Sequence, residues 1–420
     1  RFAMDKKYSL GKRFQIIFLI PIAGTLLGSS HSWTIPGLSR PNVPSYPFVS
    51  FGNPTVHESI SSLLCSKTLA DPEKSAASVP TILTTTIAIV GTGAVGGYYG
   101  SRLWEAGYNV KFHLRGDHYN HCTIHGLNMT SVEGSDVFIP PDQLQAFEDT
   151  HLIGPVDWVI CALKSTALDA IPKLIRPLLH SETRILNIMN GLVDDDIVAM
   201  INQSNDANDN SNNQISCCAA IYGGMALLCS NRVTTGHIHH SYAGLLSGGL
   251  AASRPGTTTQ EHEAAFLALW QPSKVPVVYE TSLTKGRWKK NIWNLPFNGI
   301  SVAMGGITID IIVNDPGLRA LAEVIMEEVV TIANTDLKER GYEDTSFHLG
   351  KADMKQMMDL SDAMGPYKTS TMLDLVERKP MEVTYLFRKP LQRASEFGIS
   401  APHLETIVRM IEAYQQIYRL

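Results

Sequence analysis

A chain of 420 residues has room for two or three domains. With 44% hydrophobic and 18% charged residues it has the make-up of a folded globular protein rather than of a disordered chain. A net charge of −5 carries no basic excess, which argues against a nucleic-acid partner; an anionic small molecule would need local cations, not the field of the whole surface.

Residues 1–83 read as an N-terminal extension. Lys6, Lys7, Lys12 and Arg13 precede an apolar run from Phe14 to Leu27, which closes on Gly28, Ser29 and Ser30. That order resembles a signal peptide; the run is short, contains Pro21, and no stable membrane span is expected. Residues 31–80 are rich in Ser, Pro and Thr, as in a transit or linker segment, and the extension is expected to be dispensable for activity. The expectation is an organelle address (plastid or mitochondrion) or entry to the secretory pathway, with a cytoplasmic chain as the alternative.

Folded structure is predicted from Thr84. The β-branched run 84–90 reads as a buried parallel strand, followed by a glycine-rich turn and a helix through Ala106 that Gly107 ends. Further strands are predicted at 108–114, 157–163 and 184–189. Strands alternating with helices give an α/β fold, a doubly wound parallel sheet with right-handed crossovers. Polar runs at 203–215 and 252–261 read as loops. From about Lys285 amphipathic segments dominate, at 287–304, 315–340, 352–365, 369–396 and 402–418. The expected organisation is therefore a Rossmann-type dinucleotide-binding domain over 84–282 and an all-helical C-terminal domain over 283–420. None of the six cysteines forms a C-x-x-C pair; they read as reduced, mostly buried thiols, and no metal is expected.

Gly91, Thr92, Gly93, Ala94, Val95 and Gly96 fit G-x-G-x-x-G between a predicted strand and a predicted helix. In that context Gly91 permits the tight turn, Gly93 the approach of a pyrophosphate, and Gly96 the packing of helix on strand. At the end of the second strand the chain reads His113-Leu114-Arg115, with no carboxylate before Asp117. A cation there suits the 2′-phosphate of NADP; an exposed loop arginine is the alternative. Lys164 and Asn190 end two further strands, where open α/β sheets bind ligands.

Lys290, Asn294 and Asn298 are spaced i, i+4, i+8 and form a polar stripe on one helix face among apolar neighbours. A buried polar stripe must be paired, and a ligand is one such partner. Pro296 inside the run is expected to kink the helix or end it early.

In this order the motifs resemble the ketopantoate reductases, over about Thr84 to Tyr418. The pieces are the Gly91–Gly96 turn, Arg115, Asp157 through Lys164, Asn190-Gly191, Lys290 with Asn294 and Asn298, Ser370 through Asp374, and Lys379-Pro380 with Glu382. The resemblance implies that Lys290 donates a proton to the carbonyl oxygen and that Glu382 interacts with the cofactor and with that lysine. It implies that Asn294, Asn298 and Ser370 hold the substrate, and that Lys164 and Asn190 contact cofactor or substrate. The activity it implies is NADPH-dependent reduction of 2-dehydropantoate to pantoate, on the way to pantothenate and coenzyme A. The alternatives are a related enzyme acting on another 2-keto or 2-hydroxy acid, and a catalytically silent NADP-binding protein. The expected partner is a small 2-keto acid; a homodimer stays open.

Overall fold

The computed structural model describes residues 84–202 and 217–418. The N-terminal extension with its expected address, and the polar run at 203–215, lie outside the described residues.

β1 (Thr86–Val90) has Ile87, Ala88, Ile89 and Val90 wholly buried, as a strand covered on both faces requires. It pairs in parallel with β2 (Asn109–His113) on one side. Between them runs α1 (Ala94–Glu105), and after β2 comes α2 (Gly116–His125). β3 (Leu127–Ser131), β4 (Val137–Ile139) and β5 (Gln145–Phe147) follow. The chain then crosses to the other side of β1 with β6 (Trp158–Cys161), α3 (Ile171–Ile175), β7 (Arg184–Asn187) and α4 (Asp194–Asn202). This reversal places a topological switch point at the carboxyl ends of β1 and β6, where open α/β sheets bind ligands.

The largest departure from the sequence reading is a long antiparallel hairpin, β8 (Ala220–Thr234) and β9 (His237–Ser253), turned at Gly236. It joins β7 through β8 and β3 through β9, giving a ten-stranded, mostly parallel sheet in the order β4-β3-β9-β8-β7-β6-β1-β2-β5, with β10 (Val277–Tyr279) beside β9. The expected loop at 252–261 shrinks accordingly. β9 runs to Ser253, and α5 (Thr259–Trp270) starts behind a capping box of Thr258 and Glu261.

The C-terminal region is helical. α6 (Leu283–Ala303) starts at an Ser282 cap and continues through Pro296, so the proline does not end it. α7 (Ile309–Asn314), α8 (Pro316–Glu339) and α9 (Lys351–Ala363) surround it. Buried Trp288, Ile292, Leu295 and Ile300 of α6 share one core with Ile325, Val329 and Ile332 of α8. The single helix expected over 369–396 is broken. α10 (Ser370–Val376) ends, residues 377–382 are not helical, and a π turn at Thr384–Arg388 leads into α11 (Lys389–Glu396). Arg378, with φ +54°, and Pro380, which lacks an amide donor and disfavours helical geometry in the residue before it, both lie in the break. α12 (Pro402–Tyr418) closes the core with Leu404, Ile407 and Ile411.

Candidate active site

The turn after β1 is shaped by its glycines. Gly91 has φ +93°, and a Cβ there would lie 2.8 Å from the Leu163 side chain. A Cβ on Gly93, by contrast, would meet nothing within 4 Å, so this backbone stands open on its outer side. Gly96 packs against the Gly91 carbonyl. Gly93 caps α1 with no side-chain acceptor, leaving the first-turn N–H groups of Ala94 and Val95 for an anion. Thr92 Oγ1 donates to His113 O at 3.0 Å and ties the turn to the end of β2. Arg115 is exposed at that end, as the residue capping α2. The neighbouring carboxylate of Glu148 accepts from Gly116 N at 2.9 Å. An open glycine and bare amide donors fit the pyrophosphate of a nicotinamide dinucleotide, with the Arg115 cation at the next strand end.

Across the switch point α6 delivers Lys290. Its Nζ donates to Asn190 Oδ1 and to Ala226 O, both at 2.9 Å. Asn190 Nδ2 in turn donates to Glu382 Oε2 at 3.3 Å, and Glu382 Oε1 accepts from Ser165 N at 2.7 Å. Glu382 thus reaches Lys290 through Asn190. Burial pulls the Lys290 ammonium down to about 7; the Arg287 cation adds to this and the Glu382 carboxylate opposes it.

Arg287, which the sequence reading passed over, lies one turn before Lys290 and is almost fully buried. Its Nε and Nη2 each donate to the Asp194 carboxylate at 2.7 Å, and its Nη1 donates to Met189 O and Gly224 O. The signal available in sequence was the i, i−3 spacing to Lys290 and the acidic run Asp194-Asp195-Asp196 shortly after Asn190.

Lys290, Asn190, Asn294, Ser370 and Val95 line one cavity of about 280 Å³ between sheet and helices. Asn294 is buried there, and its Nδ2 has no hydrogen-bond acceptor. Asn298 is placed differently from expectation. Fully buried, it donates through Nδ2 to Asn294 Oδ1 at 3.3 Å, and its Oδ1 accepts from Thr371 N at 3.1 Å and, at 3.5 Å, from Ser370 Oγ. It braces the start of α10 rather than lining the cavity. Of the adjacent hydroxyls, Thr371 is buried and Ser370 is exposed to the cavity. Lys164 does not line this cavity: half-exposed, it pairs with Asp374 on α10 and bridges the end of β6 to the helical region, next to Ser165, whose amide holds Glu382.

The described cysteines, Cys122, Cys161, Cys217, Cys218 and Cys229, are free thiols. Among the described residues no helix is long and apolar enough to cross a membrane, and no three His, Cys, Asp or Glu side chains are grouped to hold a metal.

The model of a family described as ketopantoate reductase PanE/ApbA matches residues 87–251, and that of its C-terminal domain matches residues 282–415. A 2-dehydropantoate 2-reductase of Nostoc sp. is 32% identical over 329 residues, 77% of this chain and 93% of its own. The chain belongs to the ketopantoate reductase family. Like the rest of the ketopantoate reductase family it is an NAD(P)-dependent oxidoreductase. The crystal structure of a 2-dehydropantoate 2-reductase from Geobacter metallireducens matches with TM-score 0.67 and 32% identity, over 78% of this chain and 99% of that one. The fold extends to a D-mandelate dehydrogenase solved with NADH and anilino(oxo)acetate, 16% identical with TM-score 0.66, over 80% of this chain and 100% of that one.

Proposed function

We propose that this enzyme reduces 2-dehydropantoate to pantoate with NADPH, Lys290 being the proton donor. The observation that carries the reading is the placement of a lysine of lowered pKa, held by Asn190 and Ala226, in the same cavity as an asparagine amide with no acceptor. Gly93 and the first turn of α1 would hold the pyrophosphate, and Arg115 the 2′-phosphate. When bound, the reduced nicotinamide supplies the hydride that goes to the keto carbon.

The protein's own part is to hold the carbonyl and to meet the charge that grows on its oxygen. Asn294 Nδ2 is a donor looking for an acceptor, and the Ser370 hydroxyl is a second polar group facing the cavity. Lys290 stabilises the developing alkoxide and gives up its proton to it. An ordinary lysine, near 10.4, is a reluctant acid at neutral pH, whereas one near 7 is matched to the task. Glu382 receives no proton in this scheme; through Asn190 it orients the lysine. The silent-binder alternative leaves the low-pKa lysine without a purpose. The test is the loss of NADPH absorbance on adding 2-dehydropantoate to the purified enzyme, with NADH run in parallel. No turnover with either nucleotide would refute the reading.

A further inference from the structure

The glycine-rich turn is flanked by a carboxylate as well as by a cation. β5 lies beside β2 in parallel, with His113 opposite Phe147, and Leu114 N donates to Phe147 O at 3.0 Å. This register sets Glu148, the first residue past β5, beside Arg115, the second residue past β2. Both side chains are exposed. The Gly116 amide donates to Glu148 Oε1 at 2.9 Å, and Oε2 takes no hydrogen bond among the described residues. Asp149 is committed elsewhere: its Oδ1 accepts from His151 N at 2.9 Å and opens the short turn Thr150–Leu152. The buried His113 ring, at the end of β2, feels both charges. Burial lowers its pKa and Arg115 lowers it further, while the Glu148 backbone and the charges of Asp149 and Glu148 oppose the shift. One strand end therefore carries a cation and a half-engaged carboxylate. In dinucleotide sites a cation here suits a 2′-phosphate, and a carboxylate suits the 2′-hydroxyl of a plain ribose. The sheet provides both, the carboxylate coming from β5 rather than from β2.

We infer that Glu148 is a second determinant of dinucleotide choice, opposed to Arg115. Its Oε2 accepts from the 2′-hydroxyl of NADH and repels the 2′-phosphate of NADPH, so the enzyme uses both dinucleotides. The inference rests on the reductase reading above and refines its cofactor. Glu148 takes no part in hydride or proton transfer. With its Oε1 on the Gly116 amide, a phosphate oxygen must displace the carboxylate or sit against it. A unit charge ~4 Å from another in water alters affinity about fivefold, and a doubly charged phosphate feels more.

The experiment titrates the full chain with NADPH and with NADH in the absence of keto acid, following nicotinamide fluorescence, and repeats both titrations on Glu148→Gln, Glu148→Ala and Asp117→Asn. Glutamine keeps an acceptor for Gly116 N and removes only the charge. In the wild type, Kd for NADH should lie within ~100-fold of that for NADPH. In Glu148→Gln, Kd for NADPH should fall and Kd for NADH should rise, moving their ratio by ~10-fold or more. NADPH binding should also become more sensitive to salt between about 0.05 and 0.5 M, because Arg115 then acts on the phosphate unopposed. Glu148→Ala should shift the ratio in the same direction. If Glu148 only caps α2, Glu148→Gln leaves both constants unchanged and Glu148→Ala weakens both equally, which overturns the inference. A ratio that moves as far in Asp117→Asn overturns it too, as does a wild type that binds NADPH and not NADH. A shifted ratio in an enzyme that reduces no keto acid leaves Glu148 in its role and refutes the reductase reading. Binding of neither dinucleotide overturns both.

Discussion

Arg287 and Lys290, one turn apart on α6, grip the same two places in the sheet, the segment just past the end of β7 and the interior of β8. Arg287 donates to the carbonyls of Met189 and Gly224; Lys290 donates to Asn190, the next residue after Met189, and to the carbonyl of Ala226, two residues beyond Gly224. Asp194 closes the arrangement with a two-pronged ion pair to Arg287. The helix is thereby locked to the sheet at the position where the lysine must be held.

Removing Arg287 alone leaves the Asp194 carboxylate without its cation in a largely enclosed site. Loss of one partner of a buried pair typically costs ~3–5 kcal/mol. Arg287→Met should lower the unfolding free energy from urea denaturation by that order, and adding Asp194→Leu should recover a substantial part of it. A single variant of wild-type stability would show that the pair does not brace the helix.

Lys290→Ala should reduce kcat by ~10²–10⁴, the range for a positioned acid, with NADPH binding followed by fluorescence near normal. Lys289 is the control. It lies about 100° round the helix and sits 3.6 Å from Asp353 in a partly exposed pair, an interaction worth ~0–1 kcal/mol. Both lysines line the cavity, so Lys289→Ala is expected to be the milder change rather than a neutral one. If Lys289→Ala is the more damaging, the proton does not come from Lys290.

The pH profile follows from the same group. Only protonated Lys290 can donate, so kcat/KM should fall above a pKa near 7, about tenfold per unit of pH for a single ionisation. A lysine with its ordinary value would hold the rate to about pH 10. The Glu382 carboxylate favours the ammonium, so Glu382→Gln should move the alkaline limb to lower pH. A limb that stays in place, or shifts upward, would separate Glu382 from Lys290.

Much of this was legible in the residues. The Gly91–Gly96 turn announces itself because a tight turn between strand and helix admits few residue types, and Lys290 with Asn294 shows through helical periodicity. The β8–β9 hairpin was not legible: Gly223-Gly224, Gly248-Gly249 and four histidines and serines around 237–241 lack the β-branched run that marks a strand, and its support comes from neighbours far away in sequence. Yet β8 supplies the Ala226 carbonyl that holds Lys290. The role of Asn298 was hidden for a related reason. Helical spacing puts it on the stripe, but only tertiary contacts reveal that Thr371, not a ligand, claims its oxygen.

Choice of nucleotide should depend on Arg115. Arg115→Asp replaces a charge-assisted contact to a 2′-phosphate with repulsion. KM for NADPH should rise by roughly tenfold or more, at least ~1.4 kcal/mol. KM for NADH, which carries a hydroxyl there, should change much less. Equal effects on the two nucleotides would mean that Arg115 does not discriminate.

Asn298 offers the sharpest distinction between bracing and binding. Its amide spans two elements: Nδ2 donates to Asn294 on its own helix, and Oδ1 accepts from the Thr371 amide at the start of α10. Asn298→Ala would leave the buried Thr371 N–H without an acceptor, a loss that typically costs ~1–3 kcal/mol, and would free both Asn294 and Ser370 from their common support. Stability should fall by that order in urea denaturation. Because the two groups facing the cavity would be loosened rather than removed, KM for the keto acid should rise more than kcat falls. Asn298→Asp keeps the acceptor for Thr371 but buries a carboxylate facing the Asn294 carbonyl oxygen, so it should be at least as destabilising as the alanine variant while still raising KM. A kcat loss as deep as that of Lys290→Ala, with stability and KM intact, would put Asn298 on the reacting atoms and contradict the bracing role assigned to it.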